Sequence, residues 1–331
     1  MADVEANYAC DNHSSDGSDD IASHGSVTKF EQKVQSATNN LNPKSIVGKV
    51  KWSDYSAAMH NEVRSAAFWL AVGTEFLATF LFVWSTTATV SDNFLLVSLV
   101  GVAMTFGLMI SVGVYIWAPI SGGHFNPAVS IALACTMDIT ILRAFCYTIA
   151  QLCGSLLASI VNYGLIAAEN RASNSLGSTY LVNEGLSTAQ GFGFEVLTTF
   201  IFILTIYATI DPGRSVSGGF AALYIGIAGL CCHLISASQT NTGINPARSF
   251  GPNVLAVALN GRSIVVDSIT GRTVDMLGSF YWIYWIGPIV GAISAAGLYV
   301  MFFTLDDRRA GDNVQKRLKA YQKWQDSILE K

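Results

Sequence analysis

The chain alternates between six long apolar runs and shorter polar connections. A helix of about 20 apolar residues crosses the hydrocarbon core of a bilayer, which is about 30 Å thick. Each of the six runs is long enough for this, so the pattern predicts six membrane-spanning helices. The runs are Ala66–Val90, Phe94–Ala118, Ile139–Ala167, Gly191–Ile210, Gly218–Ser236 and Leu277–Phe303.

Two shorter apolar runs lie between these spans, and the same tripeptide opens both. Ten helical residues extend only about 15 Å, which is half of the hydrocarbon core. Asn is a preferred N-cap and Pro suits the first helical position, so each run is predicted to be a re-entrant half-helix. The tripeptides are Asn126-Pro127-Ala128 and Asn245-Pro246-Ala247.

The membrane part is an internal repeat. Glu75 lies 51 residues before the first tripeptide and Glu195 lies 50 residues before the second. The third span of each half contains two small residues four positions apart, Gly154 with Ala158 and Gly287 with Gly291. We therefore predict that Gly154 and Gly287 are equivalent positions of the two repeats. Three spans per half is an odd number, so the second half enters the membrane inverted. The predicted fold class is therefore an all-α membrane protein with six transmembrane helices, two re-entrant half-helices and an inverted repeat, in which the half-helices face a central transport site.

These patterns divide the chain into three parts. Residues 1–60 are rich in Ser, Asn and Asp and are predicted to be a disordered N-terminal tail. Residues 61–304 form the predicted membrane domain, with repeats at 66–167 and 188–304. Residues 305–331 form a basic C-terminal tail.

Composition supports the membrane class and charge predicts the orientation. The chain is 51% hydrophobic and only 13% charged, whereas about a quarter of the residues of a soluble domain are charged. Fifteen Lys and Arg residues fall in the tails and connections on one side of the six spans, against three on the other. Positive charge favours the cytoplasmic side, so both termini are predicted to be cytoplasmic, with the plasma membrane favoured over an internal one.

No pattern indicates catalysis. We find no phosphate-binding loop, no zinc-ligand spacing and no Ser/His/Asp set in a plausible place. The chain is predicted not to be an enzyme, to need no cofactor or metal, and to bind no nucleic acid.

The segments around both tripeptides resemble the two signatures of the aquaporin (major intrinsic protein) family. They read Ser-Gly-Gly-His-Phe-Asn-Pro-Ala-Val from Ser121 and Thr-Gly-Ile-Asn-Pro-Ala-Arg-Ser-Phe-Gly from Thr242. The resemblance covers about Ala66 to Phe303. It implies a passive, water-selective channel in the lipid bilayer, with water as permeant and four copies of the chain in a homotetramer.

The residues suggest how such a channel would work. Each tripeptide Asn side-chain oxygen is expected to accept backbone N–H groups, which leaves its NH₂ group facing the lumen. The positive ends of both half-helix dipoles meet there and repel cations, protons included.

The resemblance also implies a constriction made by four residues. Spacing from the two motifs maps it onto Phe106, His233, Thr242 and Arg248. The Phe106 ring and the His233 imidazole are expected to narrow the lumen, while Arg248 and His233 supply hydrogen-bond donors. This set of residues is similar to the constriction of the water-selective branch. One departure, the segment Gly251-Pro252-Asn253, is more similar to the glycerol branch.

Two buried carboxylates and one His complete the candidate site. Glu75 and Glu195 lie in apolar spans, where a carboxylate needs a specific partner. We predict that they support the structure by accepting bonds from the unwound backbone before each half-helix, with a proton relay as the alternative. His124 is a candidate for the cytoplasmic vestibule, or a packing residue.

Other functions stay open at this stage. A broader pore could also pass glycerol, peroxide or ammonia, and a protein of another class, a membrane junction or scaffold, could retain a residual pore. Ser215 and Ser217 follow Arg214 in a short connection and are candidates for regulation by phosphorylation.

Overall fold

The computed structural model describes residues 52–91, 98–167, 176–183, 185–211, 220–260, 264–266 and 273–303. The candidate regulatory residues Ser215 and Ser217, the chain before Trp52 and the C-terminal tail lie outside the described residues. The helices, in chain order, are α1 (Trp52–Arg64), α2 (Ala66–Ser91), α3 (Leu99–Ser121), α4 (Pro127–Cys135), α5 (Ile141–Leu165), α6 (Thr188–Ile210), α7 (Ala221–Thr240), α8 (Pro246–Asn260) and α9 (Ile283–Phe303).

Six of these helices are long and apolar enough to cross a membrane, which confirms the predicted spans. Most of their ends differ from the sequence pattern by a few residues, and two helix starts differ most. The described part of α3 begins at Leu99 rather than Phe94, and α9 begins at Ile283 rather than Leu277. Before α9 the chain makes successive turns, in which Tyr281 N–H donates to Gly278 O and Ile283 N–H donates to Phe280 O. Apolar composition alone cannot separate such turns from a helix.

The two half-helices form where the tripeptides predicted them. Helix α4 has nine residues and α8 has fifteen, so both are shorter than the roughly 20 residues that a full span needs. Asn126 is the N-cap of α4, with extended backbone angles (φ −154°, ψ 119°), and Pro127 occupies the first turn. The missing Pro N–H is one that a helix start leaves unpaired in any case.

The inverted repeat is visible in two matching helix contacts. A Cβ atom added at Gly154 of α5 would lie 2.3 Å from Phe76 O of α2, and one added at Gly291 of α9 would lie 2.3 Å from Val196 O of α6. Phe76 and Val196 directly follow Glu75 and Glu195. The residue of the second repeat that is equivalent to Gly154 is therefore Gly291. The equivalence of Gly154 with Gly287 that was predicted from the sequence is wrong by one helical turn.

Helices α3 and α7 pack together in the same close manner. A Cβ at Gly107 would lie 2.7 Å from Gly226 O, and a Cβ at Gly226 would lie 2.4 Å from Gly107 O. The two glycines therefore bring the second spans of both halves within backbone contact. This contact places Phe106 and His233 of these helices on the same side of the molecule.

Helix α1 corrects the predicted tail. Residues 52–60 were expected to be disordered, but Trp52–Arg64 is helical and is bonded to α5. Glu62 Oε1 pairs with Arg143 Nε at 3.0 Å, and Tyr55 OH accepts the Ile141 N–H at 2.8 Å. The Arg143 side chain is fully buried. The ordered domain thus begins before residue 61.

One further element was not predicted. Ile264–Val266 and Thr273–Asp275 pair as an antiparallel two-stranded ribbon between α8 and α9, with Val265 opposite Val274. Strands of three residues leave too short a pattern to identify from sequence.

Candidate functional site

Glu75 holds the loop that leads into α4. Its Oε1 accepts the Ser121 hydroxyl at 2.6 Å and the His124 N–H at 2.9 Å. Its Oε2 accepts the Phe125 N–H at 2.6 Å and the Gln151 side-chain amide at 2.8 Å. The carboxylate is fully buried and all its partners donate, so the group satisfies the orphan N–H groups of the unwound backbone.

Glu195 does the same for the loop before α8. Its Oε1 accepts the Thr240 hydroxyl at 2.6 Å and the Gly243 N–H at 2.9 Å, and its Oε2 accepts the Ile244 N–H at 2.7 Å. These are the backbone bonds expected from the sequence. They also hold strained backbone, because Phe125 (φ 31°) and Ile244 (φ 45°) lie in the left-handed region that side chains other than Gly rarely adopt.

The two tripeptide asparagines meet and bond each other's loop. Asn126 Nδ2 donates to Ile244 O at 3.0 Å, and Asn245 Nδ2 donates to Phe125 O at 2.9 Å. Their Oδ1 atoms accept the N–H groups of Ala128 and Ala247, both at 2.9 Å. Each carboxamide therefore uses its oxygen and one N–H in fixed bonds. These bonds also fix the orientation of its second N–H.

A cavity of about 280 Å³ runs past both asparagines. Since α4 and α8 begin at these residues, the positive ends of two helix dipoles face the same space. Most of the wall is apolar, which leaves few groups that could hold a polar molecule. The apolar lining includes Phe82, Ile110, Val114, Val129, Leu133, Phe202, Ile206 and Ile225.

Three of the four predicted constriction residues come together on this cavity. The rings of Phe106 and His233 stack with centroids 4.0 Å apart, and the Arg248 guanidinium carbon lies 5.0 Å from the Phe106 ring centroid. Stacked at this distance, the two rings form one continuous wall. All three side chains are almost fully buried and line the cavity.

His233 and Arg248 each keep a buried ring or guanidinium nitrogen that is not bonded to the described residues. His233 Nδ1 lies 2.8 Å from Gly229 O, so this nitrogen carries the proton, because a carbonyl only accepts. In the neutral ring Nε2 is then an acceptor. Among the described residues, His233 Nε2 and Arg248 Nε have no protein partner.

The fourth predicted residue, Thr242, behaves differently. Its backbone is left-handed (φ 47°), and its hydroxyl lies 2.9 Å from the Ser236 hydroxyl. Thr242 is fully buried but is not among the residues that line the cavity. The spacing placed this residue in the constriction, but in the structure its hydroxyl is bonded to the Ser236 hydroxyl.

His124 lines the cavity, near the start of α4. Its Nδ1 lies 3.0 Å from the Ser130 hydroxyl, and its ring packs edge-on against Tyr147 with centroids 5.2 Å apart. His124 therefore both lines the cavity and packs against a neighbouring side chain, which are the two roles considered for it.

Several supporting residues were not identified from the sequence. Gln151 donates to Glu75 and to the Ser130 hydroxyl, and Gly177 O accepts the Arg248 Nη1 at 2.6 Å. Gln151 carried a usable signal, since an uncharged polar side chain inside an apolar span needs a partner there. Gly177 carried none, because a backbone carbonyl has no sequence signature.

Known proteins are similar to this chain in fold and in sequence. The X-ray structure of the aquaglyceroporin from Plasmodium falciparum has a similar fold, with a TM-score of 0.61 and 23% identity over 72% of this chain and 99% of that chain. An aquaporin PIP-type from Atriplex canescens is 38% identical, over 72% of this chain and 82% of its own length. Aquaporin-4 from Mus musculus is 36% identical, over 74% of this chain and 70% of its own length.

The family model described as Major intrinsic protein matches residues 62–299, from the end of α1 almost to the end of α9. This range contains both half-helices, the buried Glu75 and Glu195, and the residues that line the cavity. The chain belongs to the major intrinsic protein family.

Proposed function

We propose that this protein is a passive, water-selective membrane channel. One observation carries the proposal: Phe106, His233 and Arg248 line the cavity, and the buried His233 Nε2 and Arg248 Nε atoms have no hydrogen-bond partner among the described residues. Buried polar atoms without a protein partner need water or a ligand. Water both donates and accepts hydrogen bonds and is small enough to pass a wall of two stacked rings.

The asparagines supply the second step of the mechanism. A water molecule beside Asn126 and Asn245 meets two N–H donors from opposite sides, so both of its lone pairs are engaged. It therefore cannot accept a proton from a neighbouring water at that point. The two half-helix dipoles and the Arg248 charge add a positive potential that repels cations. The apolar wall elsewhere keeps binding weak, as rapid transport requires.

Comparison with relatives supports the same function. The similar proteins from Atriplex canescens and Mus musculus are named aquaporins. The aquaglyceroporin of similar fold is under 25% identical, so its name carries no weight for the permeant. The broader pore and the scaffold are therefore less favoured, and no feature of the described residues points to catalysis.

The finer assignments form part of the proposal. We place both termini in the cytoplasm, from the distribution of Lys and Arg. We also place the chain in the plasma membrane rather than in an internal one. The homotetramer follows from the family. Regulation through Ser215 and Ser217 stays a hypothesis. It would be rejected if changing both serines to Ala, or both to Asp, left the water permeability per channel unchanged.

Stopped-flow light scattering of proteoliposomes tests the proposal. Shrinkage in an impermeant osmolyte should be much faster than in empty liposomes, and glycerol should not re-enter quickly. His233→Gly removes half of the ring wall and should admit glycerol, whereas Thr242→Ala should not, because its side chain does not line the cavity. Fast glycerol entry in the wild type would instead support the broader pore.

A further inference from the structure

We propose that Asn253 is a positioning residue for the constriction, because it holds the loop whose carbonyl fixes Arg248. The inference rests on the proposed function, since it concerns the selectivity of that same constriction. Asn253 lies in α8 and is fully buried.

The Asn253 carboxamide is paired with the backbone of Thr179. Its Oδ1 accepts the Thr179 N–H at 2.9 Å, and its Nδ2 donates to Thr179 O at 2.8 Å and to Met276 O at 2.9 Å. Both hydrogens and the oxygen of the amide are therefore used. An amide pairs with both the N–H and the C=O of one residue, which Ala, Ser or Val at this position could not do.

The loop that Asn253 holds leads directly to Arg248. Gly177 precedes Thr179 by two residues, and its carbonyl accepts Arg248 Nη1 at 2.6 Å. Gly177 has a positive φ of 72°, and a Cβ there would lie 3.0 Å from the Thr87 side chain, so the turn is pressed against α2. A displacement of Thr179 therefore moves the carbonyl that orients the guanidinium.

Few other contacts fix Arg248. Its Nε has no protein partner among the described residues, and its remaining neighbour on the wall is the Phe106 ring. Residue 178 of the loop is held separately, since Asn241 Nδ2 donates to Ser178 O at 2.6 Å. Helix α8 thus holds the loop at two points, with Arg248 bonded to Gly177 O and Asn253 bonded to Thr179, and loss of the Asn253 bonds leaves α8 holding the loop only through Arg248.

The test compares selectivity in Asn253→Ala, Thr179→Val and Arg248→Val. Thr179→Val is the matched control, because the principal bonds of Asn253 go to the Thr179 backbone and survive the change. Purified full-length variants in liposomes are assayed for water, urea and glycerol permeability per channel. We expect Asn253→Ala to raise the glycerol-to-water ratio about tenfold, in the direction of Arg248→Val, with Thr179→Val at the wild-type ratio; a tenfold change corresponds to about 1.4 kcal/mol.

The outcomes separate this inference from the proposed function. An unchanged ratio in Asn253→Ala, with a raised ratio in Arg248→Val, overturns the positioning role and leaves the water channel intact. A wild type that conducts no water overturns the proposed function instead. If Asn253→Ala does not fold, Asn253→Asp takes its place, because it keeps the acceptor for the Thr179 N–H and loses both donations. A wild-type ratio in a folded Asn253→Asp overturns the inference as well.

Discussion

The buried carboxylate of Glu195 offers the most direct test of how the half-helix loops are held. Its two oxygens accept three bonds, from the Thr240 hydroxyl and the N–H groups of Gly243 and Ile244. Glu195→Gln keeps the size of the side chain but leaves only one accepting oxygen. That oxygen can serve Thr240 and Gly243 together, and the new NH₂ group then faces the Ile244 N–H.

The expected loss follows from these contacts. One buried N–H without an acceptor costs about 1–3 kcal/mol, and two charge-assisted bonds become neutral, which adds about 1–2 kcal/mol. We therefore expect the free energy of unfolding to fall by about 2–5 kcal/mol. Since Ile244 O accepts Asn126 Nδ2, the released loop should also shift the asparagine of the other half. Permeability per folded channel should fall along with stability.

The assay needs one stability measurement and one functional measurement. Unfolding in detergent is followed by fluorescence-detected size exclusion after heating, and water permeability is measured in liposomes with protein content determined. Thr198→Val is the matched control, because Thr198 lies one turn along the same helix and its hydroxyl, among the described residues, bonds only Phe194 O, at 2.6 Å. A Glu195→Gln protein with the unfolding midpoint and permeability of Thr198→Val would refute this account.

Three further predictions concern other parts of the molecule. Asn245→Asp replaces the donor to Phe125 O with an acceptor and adds a negative charge to the cavity, so water flux should fall and proton flux, followed with a pH dye inside liposomes, should rise; unchanged proton flux would contradict the barrier mechanism. Glu62→Gln leaves the buried Arg143 without its ionic partner and should destabilise the protein by about 3–5 kcal/mol, with a smaller loss in the double variant with Arg143→Gln; additive losses in the double-mutant cycle would show that the pair is not coupled. Gly291→Ala places a Cβ 2.3 Å from Val196 O and should lower the yield of folded protein, whereas Gly164→Ala, which has open space, should not; equal yields would mean that the close helix contact is dispensable.

Local patterns in the sequence predicted much of this fold. The six spans followed from run length, and the half-helices from an Asn that caps and a Pro that suits the first turn. The bonds of Glu75 and Glu195 followed because a carboxylate in an apolar span must find donors, and the unwound loops are the nearest source of them. Each of these inferences needs only neighbouring residues and the bilayer.

Contacts between distant residues were decided by the tertiary structure alone. The Glu62–Arg143 pair joins residues 81 apart, and the Asn253 contact with Thr179 joins residues 74 apart. Helix α1 was missed for this reason, since its polar sequence resembled a tail until its partners on α5 were known. The register of Gly154 with Gly291 required the positions of the carbonyls that the glycines approach.

Thr242 shows the same limit at a single residue. Its place in the chain predicted a side chain in the constriction, but its left-handed backbone directs the hydroxyl to Ser236. The sequence by itself determined the membrane class, the repeat, the half-helices and the residue types at the site. The tertiary structure decided which of those side chains reach the cavity and what holds them, because side-chain direction depends on backbone angles and packing partners that lie far apart in the sequence.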